Sequence, residues 1–278
     1  MTSEPQPDTP LDLKAYFARI EHAGGRRRGT DTLRAIHLAH ATHIPFENID
    51  VLLGEPIRLD LPGLFDKLVT RRRGGYCFEQ NSLLAAALET LGFRVKRLLA
   101  RVRVDSGRLL PRTHMVLEVA AGRRAWLCDV GFGSWGLLEP LALAAGESRQ
   151  FIWDYRLSRA GNEWWLQARQ GDVWRDLYSF TRAEQLQVDF EPANHYTSTH
   201  PDSRFTHTLT AQRPLPEARY LLRGRELIVA TAEGITTRGL TDDCELLGVL
   251  AECFQLEVPR GKWMPPVEQV VPSEPSEQ

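Results

Sequence analysis

Cys77, His114 and Asp129 are the residues of this chain whose types and positions could combine in covalent chemistry. A cysteine thiolate is a strong nucleophile, an imidazole can take up its proton, and a carboxylate can orient that imidazole. Cys77 stands in RRRGGYCFEQN, residues 71–81, directly after Gly74-Gly75 and before the run SLLAAALETLG. That run places Leu83, Leu84, Ala87, Leu88 and Leu91 on one helical face, with Gly92 as its C-terminal cap. Cys77 is therefore expected in the first turn of a helix, where unpaired amides and the helix dipole favour thiolate over thiol. The two glycines permit a tight turn and a close approach by substrate. On its own, a free cysteine is more often a small buried apolar residue than a nucleophile.

The partners would come from a hairpin. HMVLEVA and RAWLCDV are two β-rich runs separated by a stretch containing Ala121-Gly122. If those two residues form the turn, Ala120 opposes Arg123 and His114 lies directly opposite Asp129. Opposed residues share a face, with Cβ atoms roughly 4.5–5.5 Å apart. A four-residue loop would make them diagonal neighbours and keep the shared face. The hairpin alone fits a structural His–Asp hydrogen bond at a barrel rim better than a catalytic pair. Cys128 points to the opposite face by strand alternation and reads as core.

The elements that must position these residues change character at Phe93. Before it, the chain reads as helical. Thr9 is a candidate N-cap with Pro10 in the first turn, and Leu13, Tyr16, Phe17 and Ile20 follow at helical spacing. A second helix runs from Asp31 towards Thr42 and stops before Pro45, and a third spans Leu61 to Arg71. From 93 to about 180, short β-rich runs separated by turn residues predict an antiparallel sheet or barrel. Residues 181–203 read as irregular, with a short helix at the start. Four further strand-like runs follow, DDCELLGVLAECF closes as a helix, and the Pro- and Glu-rich last dozen residues read as disordered.

Composition narrows the function classes. The chain has 278 residues, 42% hydrophobic and 25% charged, and 34 basic against 36 acidic side chains give a net charge of −2. That balance offers no bulk attraction to nucleic acid or an anionic membrane. The arginine triplets at 26–28 and 71–73 read as solvated faces. No apolar run approaches the roughly 20 residues that span a bilayer, and MTSEPQPDTP lacks the features of a secretory signal. Cys77, Cys128, Cys244 and Cys253 show neither CxxC nor zinc spacing. His37, His40 and His43 cannot converge on one metal, because the outer two lie roughly 120° apart on a helix. The expectation is a cytoplasmic enzyme with reduced thiols and no metal.

Taken with YFARI (16–20), HIPFENID (43–50), KLV and RRGGYCFEQN (67–81), LGFRV (91–95), RTHMVLEV (112–119), DVGFG (129–133) and DFEPANHYTSTHPDSRF (189–205), the chain resembles an arylamine N-acetyltransferase of the bacterial type. The resemblance covers about 16–205 in order. Beyond it, CFQLEVP stands where the family often carries an FGI-like segment. The resemblance implies an α+β fold with a cysteine-protease-like core: a helical bundle (1–92) carrying the nucleophile, an antiparallel β-barrel (93–203) carrying His and Asp, an α/β lid (204–265) and a disordered tail (266–278). It implies a triad of Cys77, His114 and Asp129, acylated by acetyl-CoA as cosubstrate and deacylated by an arylamine, arylhydrazine or N-hydroxyarylamine. Phe46 and Phe132 match arene contacts, Thr113, Gly131 and Gly133 match CoA contacts, and Glu47 with Arg73 matches an ion pair bracing the loop. Tyr76 would pack beneath it. The expected state is a monomer or homodimer. An amide synthase fed by a carrier protein, a cysteine hydrolase, and a binding module with a vestigial triad stay open as alternatives.

Overall fold

The computed structural model describes residues 11–104, 109–133 and 135–258. Helix α1 (Leu13–Arg19) is capped by Asp12, whose carboxylate accepts from the amides of Lys14 and Ala15 at 2.9 and 3.1 Å. The cap is thus Asp12 in place of the expected Thr9, which lies with Pro10 outside the described residues. Helix α2 (Thr30–His43) stops two residues before Pro45, because the residue preceding a proline avoids helical backbone. The IPFEN segment forms a two-residue strand β1 (Phe46–Glu47) and leads into a one-turn helix α3 (Ile49–Leu52). Helix α4 (Leu61–Phe65) continues into a π-helical turn at Asp66–Thr70. Helix α5 (Cys77–Thr90) buries Leu83, Leu84 and Leu88 completely, each contributing roughly 1.5–3 kcal/mol. It ends with Gly92 at φ +83, the left-handed position that glycine fills at low cost.

Eight strands follow: β2 (Arg94–Val102), β3 (His114–Ala121), β4 (Arg124–Cys128), β5 (Leu141–Ala142), β6 (Gly146–Gln150), β7 (Trp153–Ala160), β8 (Glu163–Gln170) and β9 (Val173–Phe180). They pair antiparallel in the order β5-β4-β3-β2-β9-β8-β7-β6 and curl into a nearly closed barrel. Strand β3 is buried on both faces. Met115, Leu117 and Val119 join the cluster of α5, while Val116 joins Leu98, Leu166 and Phe180 in the barrel's own core. His114, at the first position of the strand, has the parity of Val116 and so enters the site from the barrel side, against Tyr178 and Phe132.

The β3–β4 turn differs in register from the expectation. Ala121 opposes Arg124 and Leu117 opposes Cys128, so Gly122-Arg123 is the two-residue loop. Gly122 has φ +62 at the first loop position, where this hairpin turn needs positive φ. The slip of one opposed pair preserves parity, so His114 and Asp129 share a face as diagonal neighbours. Residues 187–199 also depart from the irregular reading: they form helix α6 (Gln187–Thr199), thirteen residues with Pro192 inside.

The chain closes with β10 (Thr210–Pro214), β11 (Ala218–Arg223), β12 (Glu226–Thr231), β13 (Gly234–Gly239) and α7 (Asp243–Phe254). These strands form a second sheet, β1-β10-β11-β12-β13, whose first strand comes from the helical region. Leu246, Val249, Leu250 and Phe254 of α7 pack on Ala211, Leu222 and Leu227 of that sheet. The C-terminal tail lies outside the described residues, among which no helix is long and apolar enough to cross a membrane.

Candidate active site

Cys77 occupies the first position of α5 and is 6% exposed. The chain arrives along Pro45-Phe46-Glu47: Glu47 N donates to Gly75 O, and Gly75 N to Pro45 O, each at 3.3 Å. A Cβ on Gly74 would sit 2.3 Å from Pro45 O, so only glycine allows the two segments to lie this close. At the helix start, Glu79 reaches back to accept from Tyr76 N at 2.9 Å. The thiol of Cys77 lies 3.7 Å from Thr113 O, the carbonyl just before His114.

His114 and Asp129 are fully enclosed, with His114 Nε2 at 2.7 Å from Asp129 Oδ2. A carboxylate only accepts, so Nε2 carries the proton and Nδ1 is the ring atom left for Cys77, the other group that favours the charged imidazole. Burial works against the imidazolium, but the charge and hydrogen bond of Asp129, with Cys77, outweigh it and push the His114 pKa up to about 10. Burial likewise opposes the Asp129 carboxylate. The charge and hydrogen bond of His114, then Asn81 and the Gly131 amide, hold it below the usual carboxylate range. Both oxygens are engaged, since Asn81 Nδ2 (3.0 Å) and Gly131 N (2.9 Å) donate to Oδ1.

Two further residues complete this frame. The backbone amide of Asp129 donates to His37 Nε2 at 3.0 Å, while His37 Nδ1 donates to Leu138 O at 2.9 Å. Burial keeps His37 neutral, with a pKa lowered to about 4. Tyr178 of β9 lays its ring against His114, centroids 4.9 Å apart.

Beneath the loop lies a buried chain of alternating charge. Arg73 Nη2 meets Glu47 Oε1 at 2.8 Å and Asp50 Oδ1 at 2.9 Å; Lys67 Nζ meets Asp50 Oδ2 at 2.8 Å and Glu79 Oε1 at 2.7 Å. Arg19, on α1, donates its Nε to Leu68 O at 2.9 Å and its guanidinium to the carbonyls of His43, Arg72 and Arg73. The turn before the cysteine is therefore tied to α1, α2 and α5 at once.

The sequence pattern of the N-acetyltransferase family matches residues 30–263. Arylamine N-acetyltransferase from Mycolicibacterium smegmatis is 46% identical over 228 residues, covering 79% of this chain and 82% of the relative. This chain belongs to the arylamine N-acetyltransferase family. The crystal structure of the Nocardia farcinica arylamine N-acetyltransferase superposes with a TM-score of 0.86 at 43% identity, covering 92% of this chain and 96% of that one. The Mycobacterium marinum arylamine N-acetyltransferase in complex with CoA superposes with a TM-score of 0.84 at 37% identity, covering 88% and 92%. The chain is accordingly an acetyltransferase with the α+β architecture of these structures.

Within this acetyltransferase the residues singled out from the sequence fall in distinct places. Cys77, His114 and Asp129 come together with the Thr113 carbonyl. Glu47 and Arg73 form the ion pair beneath them, with Nε at 3.1 and Nη2 at 2.8 Å both donating to one carboxylate oxygen. Phe132 is half-buried, its ring edge-on to His114 at 5.2 Å. Phe46 is buried at 5% exposure, 5.7 Å from the ring of Phe205. Gly131 and Gly133 both meet protein: a Cβ on Gly131 would lie 2.6 Å from Cys77 Cα, and one on Gly133, at φ +94, would overlap Gln212 of β10. Tyr76 is fully buried, hydrogen-bonded to Asn194 of α6.

Sequence reasoning missed Asn81, Tyr178, Lys67 and the supporting role of His37. Asn81 had a signal, since it lies four residues after Cys77 and so on the same helix face. Among the described residues no cluster of His, Cys, Asp and Glu could hold a metal ion. His37, His40 and His43 go to separate partners: Asp129, Tyr16 and the Ala39 carbonyl.

Proposed function

We propose that this acetyltransferase works through a Cys77 thioester, with the triad Cys77–His114–Asp129 and acetyl-CoA as donor. The observation that carries this is the enclosed His114, bonded to Asp129 at 2.7 Å and facing Cys77 with its other nitrogen. Cys77 Sγ gives its proton to His114 Nδ1 and attacks the acetyl carbonyl. The tetrahedral oxyanion forms beside the Cys77 amide, a first-turn donor with no acceptor inside the helix. Collapse expels the CoA sulfur, which takes the proton back from His114. An arylamine or arylhydrazine nitrogen, or the oxygen of an N-hydroxyarylamine, then attacks the thioester as His114 removes its proton, and Cys77 leaves. The two half-reactions share one site, so the kinetics are ping-pong.

Phe132, edge-on to the base, and Phe46, beside Phe205, would flank the acceptor's ring. Thr113, half-buried at the mouth, would touch CoA, while Gly131 and Gly133 shape the turn along which the thioester arm enters. Intact-protein mass spectrometry after incubation with acetyl-CoA tests the reading. Wild type should gain one acetyl group, localised to Cys77 and discharged by an arylhydrazine, and Cys77→Ala should gain none. Undiminished transfer by Cys77→Ala would sink it.

A further inference from the structure

The peptide unit between Gly75 and Tyr76, one step before the nucleophile, is held at both polar ends. Its carbonyl accepts from Gln80 Nε2 at 2.8 Å and from Glu47 N at 3.3 Å, and its amide donates to Glu79 Oε2 at 2.9 Å. Glu79 and Gln80 both belong to the first turn of α5 and reach back around its start. Glu79 is anchored by Lys67. Gln80, fully buried, is anchored differently. Tyr16, kept protonated by burial, donates its hydroxyl to His40 Nδ1 at 2.8 Å. Nδ1 is therefore an acceptor, and the proton of a neutral His40 sits on Nε2. Burial holds the His40 pKa well below its ordinary value. Nε2–H and Gln80 Oε1 are complementary buried groups side by side, and neither has a partner within hydrogen-bond distance among the described residues. Gly75 O can only accept, so the Gln80 amide presents its NH2 there and leaves its oxygen on the side of His40.

The next amide along is that of Cys77. Its direction follows from the plane before it through the two backbone torsions of Tyr76. We propose that Gln80, oriented by His40 and Tyr16, is a positioning residue that fixes the direction of the Cys77 N–H as an oxyanion donor. It serves acyl transfer specifically and does not activate the thiol. The proposal rests on the thioester reading above.

Two reactions of one sulfur separate these roles. Acylation by acetyl-CoA passes through an oxyanion; alkylation by iodoacetamide is a displacement at carbon and does not. In Gln80→Met, acylation should fall about tenfold or more, with the KM for acetyl-CoA within twofold of wild type, because a misaimed donor is lost only to the transition state. The alkylation rate should stay within about threefold. Equal falls in both rates, or an unchanged acylation rate, overturn the proposal alone. A wild type that alkylates and never acylates overturns the thioester reading and this proposal with it. Should Gln80→Met not fold, His40→Leu against His40→Gln repeats the comparison. A glutamine in place of His40 can still accept from Tyr16 and donate to Gln80, so only the Leu variant should lose acylation selectively, and identical behaviour of the pair is the refuting result.

Discussion

Replacing Asp129 by asparagine changes one oxygen to an NH2 group and should reverse the tautomer of His114, the proposed general base. In the native site Oδ1 already accepts from Asn81 Nδ2 and Gly131 N, and Oδ2 accepts from His114 Nε2. The substituted amide would keep its oxygen on the two donors and turn its NH2 towards His114. Nε2 must then accept, which moves the imidazole proton to Nδ1, the atom that should receive the proton of Cys77. Where a triad carboxylate is exchanged for an amide in this way, the rate falls about 10⁴-fold, or about 5 kcal/mol at roughly 1.4 kcal/mol per factor of ten. Loss of the carboxylate charge also leaves burial to act on His114, so its pKa should drop from about 10. Stopped-flow measurement of CoA release gives the acylation rate, and its alkaline limb reports the imidazolium. That limb should move to lower pH in the variant. Acylation within tenfold of wild type in a folded Asp129→Asn protein would refute the tautomer reasoning.

Two further outcomes follow from the buried charges. Lys67→Met leaves Glu79, 2% exposed, without its cation, at a cost of about 3–5 kcal/mol and a melting temperature lower by roughly 10 °C in calorimetry. Adding Glu79→Met should recover part of that loss, and a single variant as stable as wild type would contradict the network. His37 has a folded-state pKa of about 4, below its ordinary value. Its contribution is therefore complete above about pH 6.5, declines as the pH falls, and is gone below about pH 4, a difference of about 3 kcal/mol. Denaturant midpoints at about pH 7 and pH 4 should converge more closely in His37→Gln than in wild type; an unchanged acid sensitivity would exclude His37 as its source.

The parts of the site that were legible in the sequence are those that depend on local rules. Gly-Gly followed by an amphipathic run places Cys77 at a helix start, and strand parity puts His114 and Asp129 on one face whatever the even loop length. The register was not legible, because Ala121-Gly122 and Gly122-Arg123 are both plausible two-residue loops; the positive φ of Gly122 at the first loop position decides between them. Helix α6 was concealed by Pro192, which ordinarily interrupts a helix, and by a polar sequence with little periodicity. The Lys67 bridges join segments far apart in the chain, and no spacing rule relates them. Tyr178 reads as one more barrel aromatic until β9 is seen to pass behind His114.

The two-residue strand β1 carries a temporal consequence. Phe46 and Glu47 pair on one side with the turn at Gly75 and on the other with Gln212 and Ala211 of β10. During synthesis, Cys77, His114 and Asp129 all emerge before the strand that completes this pairing, which follows Cys77 by on the order of ten seconds at about 5–20 residues per second. A closure spanning so much of the chain is also intrinsically slow. The thiol's final surroundings are thus assembled late, by an element that supplies no catalytic side chain. A nascent chain stalled before residue 210 would hold Cys77, His114 and Asp129 and still lack the wall against which the cysteine turn is set.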